Sequence, residues 1–178
     1  TEHHGIGQPR VAEFRGQRCL EHHHVRYREG RLPPALRPAV AVDATAVAEV
    51  LILSRRVWMP YAPSAHTDEA VLDWVATRLL PAGSVTVAEF EGRIVGVLAV
   101  SGQPQAAWIE QLYVHPAHLG AGIGSALLAH ALATLPRPLQ LYTFQANLGA
   151  RAFYERHGFE AVAFGDGQGN EERCPDVR

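Results

Sequence analysis

The sequence predicts an α/β fold, a mixed central β-sheet flanked by helices. Three observations carry this. Apolar residues recur at helical spacing in 44–57 and 68–79, then switch to short β-rich runs between 85 and 114. Turn signals such as Glu91-Gly92-Arg93 separate those runs, as neighbouring strands of a hairpin require. The third run passes through a glycine-rich stretch straight into another helical pattern, so the elements interleave in the order β-α-α-β-β-β-α-β-α-β-β.

Each element has a local reason. Residues 36–42 form a short strand entered from Pro33-Pro34. Asp43 is placed to cap a helix over 44–57, with Val47, Val50, Leu51 and Ser54 at helical spacing. Pro60 and Pro63 make 58–65 a loop. Thr67 caps a second helix, and Asp68 and Glu69 in its first turn suit the helix dipole. That helix presents Val71, Leu72, Trp74, Val75 and Leu79 until Pro81-Ala82-Gly83 stops it. Strands follow at 85–90, 94–100 and 107–114. A helix over 125–135 turns Leu127, Leu128, Ala131 and Leu135 inward, and Pro136 and Pro138 end it. Residues 139–144 form an apolar strand, 148–157 a helix closed by Gly158, and 159–164 a further strand. The run Asp166-Gly167-Gln168-Gly169-Asn170 is a turn, and the last residues add an edge strand.

Composition narrows the function. The 178 residues fit one domain, and 47% hydrophobic residues against 19% charged ones supply a packed core. A net charge of −2 argues against a general nucleic-acid binder. No apolar stretch approaches the roughly 18 residues that span a bilayer, and no signal-peptide pattern opens the chain, so the expected setting is cytoplasmic. Cys19 and Cys174 are too few for a disulfide framework or a four-ligand zinc site, and no His/Asp/Glu spacing supports a metal. All sixteen basic residues are arginine. Without lysine, neither Schiff-base chemistry nor a P-loop is open to this chain.

Residues 1–35 differ from the rest. They hold six Arg, four acidic residues and five of the ten histidines, with four glycines and no sustained periodicity. His22-His23-His24 has the look of a metal-binding tract; a mobile extension, a vector-derived remnant or an over-extended start explains the segment more simply. The expected division is an appendage over 1–35 and a single domain over 36–178.

The chemistry begins where the third strand ends. A strand running into Gly120-Ala121-Gly122-Ile123-Gly124 and then a helix brings bare amides and the positive end of a helix dipole to one spot. The natural guest is a phosphate or pyrophosphate; a tight connection with no ligand would use glycines too. A dinucleotide fingerprint fails, because Ser125 occupies the third glycine position and no acidic residue follows at the expected distance.

The stretch Leu112-Tyr113-Val114-His115-Pro116 with Leu119-Gly120-Ala121-Gly122-Ile123-Gly124 resembles the acyl-CoA motif of the GNAT superfamily of N-acetyltransferases. A second motif of that superfamily is similar to the run from Asn147-Leu148-Gly149-Ala150-Arg151 through Phe153-Tyr154-Glu155-Arg156 to His157-Gly158-Phe159. The resemblance covers about four-fifths of the chain and implies the acyl-CoA N-acyltransferase (GNAT) fold. It implies transfer of acetyl from acetyl-CoA, as co-substrate, to a primary amine by direct attack on the thioester. The cofactor-binding residues it implies are Leu112, Tyr113, Val114, Leu119, Gly120, Ala121, Gly122, Ile123, Gly124, Ser125, Asn147 and Tyr154. The chain departs from the family's pattern at Leu119, where Gln or Arg is usual, and at Ala121, often basic. Both changes remove side-chain help for the phosphates and leave the backbone amides.

Such a transfer needs a neutral amine, stabilisation of the developing oxyanion and a proton for the leaving thiolate. The resemblance assigns the oxyanion to backbone amides around 112–114 and the general acid to Tyr154, whose other reading is packing against the pantetheine arm. Asn147 would hydrogen-bond that arm, cap the helix it precedes, or both. Glu110 is the candidate base, as a carboxylate in an otherwise apolar strand; a solvated strand-edge group or a substrate-binding group is the other reading. Alternation puts Trp108, Glu110, Leu112 and Val114 on one face unless a bulge intervenes. Glu89 and His115 are reserves, while His118 and His130 are expected on surface or helix faces.

The resemblance puts the acceptor pocket at Trp58-Met59-Pro60-Tyr61-Ala62-Pro63 with Arg55, Arg56 and His66, where the aromatics suit an apolar part of the acceptor and the arginines a carboxylate; for any one of these residues ordinary loop packing is the simpler reading. The partner is then a small-molecule or peptide amine, and family members are often homodimers. The reading from another class is a catalytically silent acyl-CoA-binding sensor or partner module of the same fold.

Overall fold

A computed structural model describes residues 33–178; the appendage expected over 1–35, with its histidine tract, lies almost wholly outside them. The elements are β1 (Ala35–Pro38), α1 (Ala44–Trp58), α2 (Asp68–Trp74), β2 (Val85–Phe90), β3 (Arg93–Gln103), β4 (Ala106–Val114), α3 (Ile123–Thr134), β5 (Leu139–Leu141), β6 (Thr143–Phe144), α4 (Leu148–Arg156) and β7 (Asp176–Val177). Strands β1 to β5 form one sheet in chain order, antiparallel except for the parallel pair β4–β5. Strands β6 and β7 pair separately.

Helices cover both faces. On one, Val47, Val50 and Leu51 of α1 and Val75 pack on Val85, Val87, Val97 and Ala99. On the other, Ile123, Leu127, Leu128 and Ala131 of α3 pack on Ala88, Val95, Leu98, Ile109 and Leu141. Burying each such side chain contributes about 1.5–3 kcal/mol, enough to fix α3 and hence the loop before it.

Several local expectations give way to tertiary context. Asp43 makes no capping bond to α1; its carboxylate accepts from the Val40 amide (2.8 Å) and pairs with Arg37 (2.8 Å). Thr67 does cap α2, accepting from the Ala70 amide, but Leu72 and Trp74 remain exposed and Val75 alone is fully buried there. The helix ends in a π turn over Val75–Leu79. The strand expected at 139–144 is broken at Tyr142 into β5 and β6. The strand expected at 159–164 reduces to one bridge, Phe164 with Val177, because Phe159 turns back from Gly158 (φ 84°) into the α3 core.

The alternation expected for β4 is also interrupted. Gln111 pairs with Ala99 and Ile109 with Val100, so Glu110 is the extra residue of a bulge. Leu112 and Val114 therefore continue the α3-facing side of Ile109, and Tyr113 faces the α1 core; Glu110 does not share their face.

Candidate active site

Strands β4 and β5 pair only through Ala107–Leu139, Trp108–Gln140 and Ile109–Leu141. Beyond Ile109 they part, and the gap widens into a cleft of about 1900 Å³ running from Glu110 and Tyr142 down to the start of α3 and along α4. The phase of the β3–β4 ladder decides what β4 shows to the gap. His115 donates to the Val95 carbonyl (2.8 Å), so alternate residues Tyr113 and Gln111 also face β3. The amides of Leu112 and Val114 point the other way, into the gap. Ser54 of α1, almost fully buried, donates to the Val114 carbonyl (2.7 Å) and ties down the end of the strand.

At the floor of the cleft Gly120 and Gly122 both take positive φ (75° and 81°), which is why glycine serves there. A Cβ on Gly120 would meet only open space. No side chain caps α3, and its first helical bond is from the Ala126 amide to the Gly122 carbonyl. The amides of Ile123, Gly124 and Ser125 are thus without helix partners and lie at the positive end of the dipole. This cradle fits a pyrophosphate. Leu119 lines the cleft and is 56% exposed. Ala121 is the exception among the expected loop residues. Its side chain packs against the α3 core and its amide donates to the His118 carbonyl (3.3 Å), so neither reaches the cleft.

Asn147 caps α4, its Oδ1 accepting from the Ala150 amide (3.1 Å), and the residue also lines the cleft with its Nδ2 still to spend. Tyr154 lines the cleft from α4, edge-on to Phe153 and Phe159. Burial, with a smaller push from Tyr113, raises its phenol above the ordinary range, so the hydroxyl keeps its proton. Glu110 is exposed at the mouth of the same cleft and accepts a hydrogen bond from the Ser101 hydroxyl.

The reserves fall away. Glu89 pairs with Arg37 (3.0 Å), and the His115 Nδ1 accepts from the Ala117 amide (3.1 Å), outside the cleft lining. His118, expected on the surface, is half-buried in the cleft wall with its ring against Phe90.

The arginines expected to hold an acceptor carboxylate are already paired within the chain. Arg55 binds Glu172 (2.7 Å), Arg56 binds Asp68 (2.9 Å), and His66 meets Glu171 (2.9 Å). Burial alone would lower the Arg55 guanidinium; the Tyr113 phenol and Glu172 outweigh it and hold it above its ordinary value. Ser54 and the Tyr113 ring carry no sequence signal for these roles. A pair of acids just after a turn, Glu171-Glu172, was the one visible hint.

A sequence model described as the acetyltransferase (GNAT) family matches residues 51–159. Among solved structures, apo YjaB from Escherichia coli is similar with a TM-score of 0.66 and 22% identity, over 82% of this chain and 95% of that one. Ard1 from Thermoplasma volcanium gives 0.62 and 21%, over 82% and 95%. The PaiA N-acetyltransferase from Thermoplasma acidophilum, in complex with coenzyme A, gives 0.63 and 18%, over 82% and 98%. These likenesses establish the fold. No functionally curated protein matches this chain in sequence.

Proposed function

The chain belongs to the acetyltransferase (GNAT) family, and on that premise we propose that it moves an acetyl group from acetyl-CoA to a primary amine by direct attack on the thioester. The observation that carries this reading is the gap between β4 and β5, which ends on the bare amides of the α3 first turn and has Glu110 and Tyr154 in its walls. Acetyl-CoA brings the activated acyl group. The amides of Ile123, Gly124 and Ser125 hold its pyrophosphate, the Asn147 Nδ2 donates to the arm, and the Leu112 and Val114 amides face the acyl carbonyl oxygen as charge develops there.

An alkylammonium of pKa ~10.4 must lose a proton before it attacks, and Glu110 takes that proton, directly or through water. The new C–N bond forms as the C–S bond breaks, and the thiolate leaves. Tyr154 serves as the acid. Its raised pKa keeps the O–H available at every working pH, and it also makes complete transfer to a thiolate of ordinary pKa ~8.5 uphill. Tyr154 therefore acts first as a hydrogen-bond donor to the sulfur; the second proton, which the nitrogen loses as the amide forms, neutralises the thiolate, while the first passes from Glu110 to water.

A single-turnover assay with acetyl-CoA over a panel of amines tests the reading by measuring thiol release. Release with at least one amine is expected. Tight acetyl-CoA binding without release from any acceptor would make the chain a silent acyl-CoA-binding module instead.

A further inference from the structure

A second cavity, of about 770 Å³, lies between the C-terminal half of α1, the loop after it, α2 and residues 171–172. It shares Arg55, Met59, Gln111 and Glu172 with the long cleft, so the two adjoin on either side of these residues, among them the Arg55–Glu172 ion pair. The gap between β4 and β5 is given over to the CoA arm in the reading above, and this adjoining cavity among the described residues offers the acceptor a place beside it.

Its chemistry is selective. Leu51, Ile52, Val71, Trp74, Pro60 and Pro63 supply apolar walls. The charged groups around them are Arg55, Arg56, Asp68, Glu171 and Glu172, with His66. Two guanidiniums face three carboxylates, a balance of −1 with the histidine neutral. Each guanidinium already holds a carboxylate of this chain, and Glu171 is left with the His66 ring alone. An acceptor carboxylate would have to displace Glu172 or Asp68 and then sit beside the carboxylate it displaced. An ammonium drawn toward Glu171 would displace nothing.

Resting on the acetyl-transfer reading, we infer that the acceptor is a small alkyl- or arylalkylamine whose skeleton is apolar and carries no carboxylate. The inference separates amines from the amino acids that share their side chains.

The test is thiol release by the full chain with acetyl-CoA and matched pairs: phenethylamine with phenylalanine, tryptamine with tryptophan, and 1,5-diaminopentane with lysine. The expected result is a kcat/KM at least about tenfold higher for the carboxylate-free member of each pair, as a carboxylate left without a cation in a partly desolvated cavity requires. Glu171 is well exposed, so Glu171→Gln leaves the fold intact. It should raise KM about two- to fivefold for 1,5-diaminopentane, whose second ammonium can pair with Glu171 while the first reacts, with kcat little changed, the range of an exposed ion pair. Equal or better use of the amino acids, release only with peptide N-termini, or an unchanged KM in Glu171→Gln overturns the inference while acetyl transfer stands. No release with any acceptor overturns both.

Discussion

Gly96 of β3 lies so close beneath Ile123 that a Cβ on the glycine would meet the Ile123 Cγ2 at 2.7 Å and the Leu127 Cδ1 at 2.9 Å. Ile123 is the first residue of α3, and its amide is one of those left bare at the cleft floor. Core packing and the proposed phosphate cradle therefore meet at a single glycine. Leu127 can swing its methyl aside, whereas the β-branched Ile123 has little rotamer freedom within a helix. Gly96→Ala should destabilise the fold by about 1–3 kcal/mol, as overpacking does, and weaken acetyl-CoA by lifting the start of α3. Urea unfolding and an acetyl-CoA titration read the two effects, and an unchanged midpoint would contradict the close packing.

Leu119 is exposed in the cleft just before the start of α3, where the family's pattern has Gln or Arg. Leu119→Arg adds a guanidinium without disturbing the core. Acetyl-CoA should bind about tenfold more tightly, the lower end of a charge-assisted hydrogen bond, and the gain should shrink as salt rises. Calorimetric titration at two ionic strengths checks this. No gain would mean that the phosphates do not lie against Leu119.

Tyr154→Phe removes the hydroxyl and keeps the ring that packs on Phe153 and Phe159. Turnover should fall about 10²-fold or more with acetyl-CoA affinity little changed. Because burial and Tyr113 raise the phenol's pKa, the wild-type hydroxyl stays protonated, and the ratio of the two rates should hold constant from pH 7 to about 9.5. A ratio that declines within that range would contradict the environment described for Tyr154.

Asp43 is nearly buried, and its hydrogen bonds to Arg37 hold its carboxyl below the ordinary 3.8, against the opposing effect of burial. A depressed carboxyl pKa contributes stability that is present above the unfolded value of ~3.9 and is lost as pH falls through the folded one. Arg37, whose pKa is raised by Asp43 and Glu89, loses its contribution only in strong alkali. Asp43→Asn should therefore lower Tm at pH 6–7 by an amount that begins to shrink below about pH 4 and vanishes only below the depressed folded value, where the wild-type group is itself protonated. A difference independent of pH would contradict the pairing.

What was legible in the sequence was local. Gly120, Gly122 and the α4 run from Asn147 to Gly158 are local stretches, so glycine spacing marked the first two and the family resemblance the third, and Asn147 could be read as cap, ligand or both. Ala121 turns into the core, because the direction of one side chain within a turn depends on what it packs against. The bulge at Glu110 arises from the β3 register, which the β4 sequence does not encode by itself. Arg55 with Glu172 spans 117 residues, and the C-terminal arm that carries Glu171 and Glu172 has no periodicity to announce it. The region around Arg55, Arg56 and His66, built from such distant pairs, therefore shows its charges unpaired in the sequence and paired in the structure.

Thermal unfolding with and without acetyl-CoA, against desulfo-CoA and free pyrophosphate, tests the central claim most directly. At a hundredfold excess over Kd, binding should add about 2.7 kcal/mol, a rise in Tm of roughly 5–10 °C for a domain of this size. The account predicts that rise with acetyl-CoA and desulfo-CoA and a smaller one with pyrophosphate. A Tm that acetyl-CoA leaves unchanged would contradict the cradle at the start of α3 and the transfer reading built on it.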